Sequence, residues 1–151
     1  MRMMSPDFEN EASIPSRNTC DGENLSPELI IEHIPQGTAS LVLIMEDPDS
    51  SAGIWDHWIC YDIPPLSRIG AGQSVGKQGI NSFDNGGYGG PCPSSGQHRY
   101  VFRLYALDDE TGLAYGASRE EVEHAMRGHV IEQCQLIGRY ARQNADASAR
   151  F

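Results

Sequence analysis

Three segments of the chain carry the apolar patterns of β-strands. Residues 40–47 form a nearly continuous apolar run, which predicts a strand buried on both faces. Residues 56–63 alternate, and one face of that strand is expected to carry His57, Ile59, Tyr61 and Ile63. Residues 98–107 alternate in the same way, and one face is expected to carry His98, Tyr100, Phe102, Leu104 and Ala106.

One helix is predicted near the end of the chain. Ser118 and Glu121 have the spacing of a capping box, in which each side chain accepts a hydrogen bond from the other residue's backbone N–H. Helical spacing is then kept by Val122, Ala125, Met126 and His129. Gly128 is one candidate end for this helix, and an extension to about Val130 stays open. Residues 133–141 fit either a final strand or a continued helix, and we favour the strand.

Glycine and proline separate these segments. The chain has 16 Gly and 9 Pro among 151 residues, and residues 70–90 are rich in glycine and predict a long loop. Turns at this density favour many short strands over a helical bundle. We therefore expect a mainly β fold with one or two helices, in a single domain over residues 1–151 with residues 1–10 frayed.

Charge excludes several classes of partner. The chain has 11 basic and 21 acidic residues, and its formal net charge is -10. Nucleic-acid binding depends on basic groups that neutralise phosphates, and adsorption to anionic membranes depends on them as well. No apolar segment approaches the roughly 20 residues that span a bilayer. We expect no nucleic acid and no membrane insertion, and any anion site has to be a local cluster of donors.

The cysteines give no motif. Cys20, Cys60, Cys92 and Cys134 are widely spaced and contain no C-x-x-C pair. No signal peptide is recognisable at the amino terminus, so we expect a cytoplasmic protein with reduced thiols. Pairing of Cys20 with Cys134 stays open at this point.

Polar residues cluster at the ends of the predicted strands. The first strand ends in an Asp-Pro-Asp turn, and the second opens with two tryptophans around an Asp-His pair. A glycine-rich loop then precedes the third strand, which begins His-Arg-Tyr. We expect these pieces to meet at one rim of a sheet. Two imidazoles, a phenol and free glycine N–H groups would form a donor-rich pocket for phosphate or carboxylate.

Each of these pieces is a weak signal alone, and alternatives stay open. The aspartates can accept a hydrogen bond from a histidine and favour imidazolium, or they can pair with a ligand's ammonium group. A hydrolase is the main alternative, with zinc or manganese on the Asp and His side chains or with Cys92 as nucleophile. The chain lacks H-x-H and H-x-x-x-H spacing, and two prolines flank Cys92. A third hypothesis is a protein–protein regulator that docks through Trp55 and Trp58.

In combination, these motifs resemble the phosphatidylethanolamine-binding protein family, and its bacterial Raf kinase inhibitor-like branch in particular. The resemblance begins at residues 20–27 and 34–38 and continues through Asp47-Pro48-Asp49 and His57-Trp58. It then includes Tyr88-Gly89-Gly90-Pro91-Cys92-Pro93 and His98-Arg99-Tyr100, and it ends with Gly128-His129-Val130 and Gly138-Arg139-Tyr140. The resemblance implies a large antiparallel sheet packed on a smaller one, with peripheral helices.

The resemblance also implies a ligand site. The family's pocket maps onto Asp47, Asp49, His57, Gly90, Pro91, His98 and Tyr100. The implied function is non-catalytic binding of a small phosphate-like anion or a phospholipid head group, without metal or cofactor. Modulation of a kinase or protease partner and a homodimer are compatible with it. The chain departs from the family pattern at Ser50-Ser51, where Ala-Pro is usual, at Ser94, where Pro is usual, and at Ile31, often Trp.

Overall fold

The computed structural model describes residues 1–142, which form two antiparallel sheets and one α-helix. The larger sheet has five strands, which are β3 Ser40–Asp47, β4 Trp55–Ile63, β6 Lys77–Gln78, β7 His98–Leu107 and β8 Val130–Tyr140. Their order across the sheet is β6-β4-β3-β7-β8. The predicted strands at 40–47 and 98–107 are confirmed, and residues 133–141 belong mostly to a strand, as favoured.

The smaller sheet has three strands in the order β1-β2-β5. They are β1 Arg2–Met4, β2 Leu29–Glu32 and β5 Arg68–Ile69. The first ten residues were expected to be frayed; instead they contain β1, which pairs with β2, and they bury Phe8. Burial of apolar side chains explains this order, because Met3 and Phe8 cover part of the core that the larger sheet alone would leave exposed to water.

The larger sheet separates two hydrophobic cores. Every residue of β3 is buried, because β3 is the central strand and both of its faces are covered, as the apolar run predicts. On one face, Leu41, Leu43 and Met45 pack with the smaller sheet. On the opposite face, Val42 and Ile44 pack under the helix. The expected fold, a large antiparallel sheet packed on a smaller one, is confirmed.

Strand β4 departs from simple alternation. Its pairing with β3 shifts register near each end, so the strand contains two irregularities. Ile59 and Tyr61 face the helix, as expected for neighbours on one face, but Ile63 packs in the opposite core and His57 contacts Tyr100 on that same side. The prediction of one shared face for His57 through Ile63 is therefore wrong, because it assumes an uninterrupted two-residue period.

The helix α1 spans Arg119–Met126. The capping box of Ser118 and Glu121 is present in both directions, which confirms the predicted start. The helix ends at Met126, so the extension to Val130 is wrong. Gly128, the other candidate end, lies two residues beyond, has a φ of +79° and turns the chain toward β8. Among residues 1–142, no helix is long and apolar enough to cross a membrane.

Candidate functional site

A pocket of about 280 Å³ opens where β3 ends and where β4 and β7 begin. The ends of these adjacent strands form its floor, and two loops form its walls. Residues 50–52 belong to the loop after β3, and residues 92–94 belong to the loop before β7. The complete lining is Asp47, Ser50, Ser51, Ala52, Trp55, His57, Phe83, Cys92, Pro93, Ser94, His98 and Tyr100.

His98 and Asp47 are joined across the floor of this pocket. The antiparallel pairing of β3 with β7, whose register runs as far as Glu46 opposite Val101, brings the end of β3 close to the beginning of β7. The His98 Nδ1–H donates to Asp47 Oδ2 over 2.7 Å. This bond fixes the ring and leaves Nε2, which makes no hydrogen bond within residues 1–142, as the nitrogen available to a ligand.

His57 is the more buried of the two histidines, with 3% of its surface exposed. Its Nδ1–H donates to the backbone carbonyl of Gly89 over 2.5 Å. Burial lowers the pKa of His57, and the Gly89 carbonyl only partly offsets this effect. His57 therefore contributes less positive charge than the sequence suggests, and its neutral ring offers Nε2 as an acceptor.

Tyr100 lies between the two imidazoles. Its ring stacks on His98 with centroids 6.4 Å apart and meets His57 edge-to-face at 5.2 Å. The side chain is fully buried, and burial raises the pKa of its hydroxyl. That hydroxyl finds no hydrogen-bond partner anywhere in residues 1–142. Most buried polar groups in proteins are paired, so this unpaired hydroxyl, on a residue that lines the pocket, is an exception.

Asp49 lies beside the pocket rather than in its lining. Its carboxylate accepts hydrogen bonds from Arg99 Nε at 3.0 Å, Nη2 at 2.8 Å and the backbone N–H at 2.9 Å. These contacts hold the pKa of Asp49 down to about 2. The Asp49 N–H in turn donates to Asp47 Oδ1 over 2.8 Å. Asp49 thus stabilises the turn at Asp47 through its backbone N–H, and its carboxylate neutralises the charge of Arg99.

Gly90 and Pro91 lie in the wall behind the pocket. The Gly90 N–H donates to Asn24 Oδ1 over 2.9 Å, and the Pro91 carbonyl accepts from the Cys20 N–H over 3.1 Å. A Cβ at Gly90 would lie 2.2 Å from Asn24 Oδ1, so only glycine fits this approach. The seven residues predicted from the sequence therefore divide into four in the lining and three in its support.

Cys20 and Cys92 form a disulfide in the same wall. The two residues are 72 positions apart in sequence, and the fold brings their Cα atoms to 5.5 Å. The expectation of reduced thiols is wrong for this pair, because the spacing of cysteines along a chain does not reveal which loops meet. Pairing of Cys20 with Cys134 is excluded: Cys134 is on β8 and, like Cys60, is a free thiol.

Several lining residues were missed by the sequence reasoning. Trp55 and Phe83 meet edge-to-face with centroids 5.5 Å apart, and Phe83 also contacts His57. The sequence places Trp55 in the cluster around His57 and suggests it as an interface residue, but does not assign it to the ligand site. Phe83 carried no signal, because its place depends on Gly89, whose missing side chain leaves room for the ring.

The side chains of the pocket give no support to the hydrolase alternative. Residues 1–142 contain no group of three His, Cys, Asp or Glu side chains arranged to hold a metal ion. The Cys92 sulfur is engaged in the disulfide, so it is not a thiol nucleophile in this state.

Comparison with known proteins agrees with this architecture. The family model of phosphatidylethanolamine-binding protein matches residues 4–141. A UPF0098 protein from Methanothermobacter thermautotrophicus is 46% identical over 151 residues, covering 94% of this chain and 99% of the relative. A UPF0098 protein from Aquifex aeolicus is 44% identical, covering 94% and 89%.

Solved structures share the fold. A structure from Chlamydia trachomatis, described as a homologue of phosphatidylethanolamine-binding protein, superposes with a TM-score of 0.91 at 36% identity, covering 93% of this chain and 97% of that one. Escherichia coli YbcL, described as a member of the mammalian family, gives 0.86 at 24% identity over 94% and 98%, which speaks to the fold alone. The chain belongs to the phosphatidylethanolamine-binding protein family.

Proposed function

We propose that this pocket binds a small phosphate-like anion without converting it. The observation that carries the proposal is the buried Tyr100 hydroxyl, which lacks a partner within residues 1–142 and belongs to a residue that lines the pocket. Binding an acceptor oxygen there would supply the hydrogen bond that this hydroxyl lacks. An unsatisfied buried hydroxyl costs about 1–3 kcal/mol, so part of that cost is recovered on binding.

His98 supplies the second contact. Asp47 holds Nδ1, so protonation of the ring adds its proton at Nε2 and makes that atom a charged donor. Charge-assisted hydrogen bonds to phosphate oxygens are about twice as strong as neutral ones. Because burial lowers its pKa, His57 stays neutral over a wider pH range than an exposed histidine, and it is suited to accept a hydrogen bond from a protonated phosphate oxygen.

The charge of the pocket keeps the expected affinity modest. Its lining holds one carboxylate, Asp47, and no Lys or Arg side chain. A protonated His98 balances that carboxylate, so the anion meets a neutral site on a molecule of net charge -10. Added salt screens the repulsion from that net charge, so it is not expected to weaken binding.

Phosphate titration followed by NMR tests this function. Wild type is compared with His98→Ala and with the control His129→Ala at pH 6.5. His129 also pairs through Nδ1 with an aspartate at 2.7 Å, but it lies outside the pocket. Wild type and the control should bind equally, and His98→Ala should bind about 10-fold more weakly or not at all, the loss of one charge-assisted bond. Equal affinity in all three proteins contradicts the proposal.

A further inference from the structure

His57 belongs to a β-bulge, as an extra residue of β4 that has no partner on β3. Met45 pairs with Trp58, but the next residue of β3, Glu46, pairs with Asp56, so the register passes over His57. A bulge of this kind bends its strand and changes the direction in which a side chain points. Bulges are frequent beside functional sites for that reason.

The bulge decides on which face of the sheet His57 lies. Beyond it, Ile59 and Tyr61 face the helix, whereas Trp58 packs in the opposite core. An uninterrupted two-residue period would place His57 on the same face as Ile59 and Tyr61. The His57 ring instead meets Tyr100, on the side of the pocket. Without the extra residue in the register, His57 would not line the pocket.

On the helix side of the sheet, one arginine joins the two acidic residues that pair at the bulge. Arg119 Nη2 donates to Glu46 Oε1 over 2.9 Å, and Nη1 donates to Asp56 Oδ1 over 2.6 Å. The side chains of Glu46 and Asp56 are only 3% and 16% exposed, so solvent screens these ion pairs weakly. Like charges opposite each other on adjacent strands are destabilising, and Arg119 neutralises this pair in the bulged register.

Arg119 is the first residue of α1, and the start of this helix is fixed by contacts other than the two ion pairs. Ser118 caps the helix. The Ala117 N–H donates to the Tyr61 hydroxyl over 3.1 Å, and the Ala117 carbonyl accepts from the Ile80 N–H over 3.0 Å. The helix start thus presents the guanidinium to β3 and β4, and its planar fork can bond two carboxylates at once.

We infer that Arg119 is a positioning residue for the pocket: it holds Glu46 opposite Asp56 on one face of the sheet and thereby turns His57 into the pocket on the other face. Loss of Arg119 leaves two shielded carboxylates unpaired and opposite each other, which favours a register without the bulge. His57 then leaves the pocket. The effect on ligand affinity rests on the proposed anion-binding function, whereas the position of His57 can be measured without ligand.

NMR on Arg119→Gln tests this inference, with Arg103→Gln as the matched control. Arg103 Nε donates to the same Glu46 oxygen over 3.0 Å but makes no bond to Asp56, and the control removes the same charge. The nuclear Overhauser effect between the ring protons of His57 and Tyr100 reports the position of His57, since the ring centroids are 5.2 Å apart. This signal should be present in wild type and in Arg103→Gln and absent in Arg119→Gln.

Phosphate titration of the same proteins at pH 6.5 measures the consequence for binding. Arg119→Gln should bind inorganic phosphate about 2- to 10-fold more weakly than wild type, the loss of one hydrogen bond to His57. Arg103→Gln should change the affinity by less than about 2-fold.

Substitutions of Asp56 test the other end of the link and do not depend on the folding of Arg119→Gln. Asp56→Asn keeps an acceptor oxygen for Arg119 Nη1 and should keep the signal between His57 and Tyr100, whereas Asp56→Ala should lose it. Retention of the signal in folded Arg119→Gln or in Asp56→Ala overturns the inference, as does its equal loss in Arg103→Gln. If the signal responds as expected but wild type binds no phosphate, the proposed function fails and the role of Arg119 in placing His57 stands.

Discussion

Removal of the Cys20–Cys92 disulfide should cost this protein a large part of its stability. The bond closes a loop between positions 72 residues apart, and it joins the loop around Cys20 to the pocket wall. In the chain-entropy description, closing a loop of this length restricts the unfolded state by about 4 kcal/mol. A folded domain is stabilised by only about 5–15 kcal/mol in total. The double variant Cys20→Ser/Cys92→Ser should therefore remain folded but lie much closer to unfolding.

Urea unfolding under non-reducing conditions measures this difference. The double variant should unfold with a free energy about 4 kcal/mol lower than wild type, which corresponds to a melting temperature lower by about 8–16 °C for a chain of this size. Cys134→Ser is the control, because Cys134 is a half-buried free thiol on β8, and its effect should stay below about 1 kcal/mol.

Reductant provides an independent check of the same reasoning. It should lower the stability of wild type to that of the double variant and leave the double variant unchanged. Denatured wild type should expose two titratable thiols, and reduced wild type four. A loss of less than about 1 kcal/mol of unfolding free energy in the double variant would show that the disulfide contributes little to stability. Four titratable thiols in unreduced protein would show that the disulfide is not formed.

Three further predictions concern the pocket and its support. Gly90→Ala should destabilise the protein by about 2 kcal/mol or more, since its Cβ would lie 2.2 Å from Asn24 Oδ1. Gly86→Ala is the control, because its nearest contact would be at 3.9 Å, and it should change stability by less than about 1 kcal/mol. Equal free energies of unfolding for the two variants in urea would contradict this packing argument. Tyr100→Phe should keep or slightly raise stability but weaken phosphate binding, and a loss above about 1 kcal/mol would mean that the hydroxyl has a structural partner. Burial lowers the pKa of His57, so below about pH 6.5 the unfolded state binds more protons than the folded state, and stability falls as the pH is lowered. His57→Gln should reduce this slope between about pH 7 and 5, and an unchanged slope would mean that other groups cause it.

The elements that could be predicted from the sequence are those with a local cause. The apolar run of β3, the alternation of β7 and the capping box at Ser118 each depend on residues close together in sequence, and each is confirmed. The irregularities in β4 could not be predicted, because they arise from pairing with β3 and leave no mark in composition.

The candidate site shows the same division. The sequence predicts that the ends of neighbouring strands meet at one edge of the sheet, because antiparallel pairing brings the end of one strand near the start of the next. The four residues predicted in this way that line the pocket are Asp47, His57, His98 and Tyr100. The disulfide and the position of Phe83 depend on loops that meet only in the folded chain. Asp49 and Gly90 support the pocket through hydrogen bonds to Arg99 and Asn24, and these partners are distant in sequence.

A crystal structure of wild type at saturating phosphate would show whether the pocket holds the anion. We predict one phosphate in the pocket, with one oxygen about 2.6–3.0 Å from the Tyr100 hydroxyl and another about 2.7–2.9 Å from His98 Nε2. A pocket without phosphate while the anion binds elsewhere on the surface, or a phosphate held without either of these two groups, would contradict it.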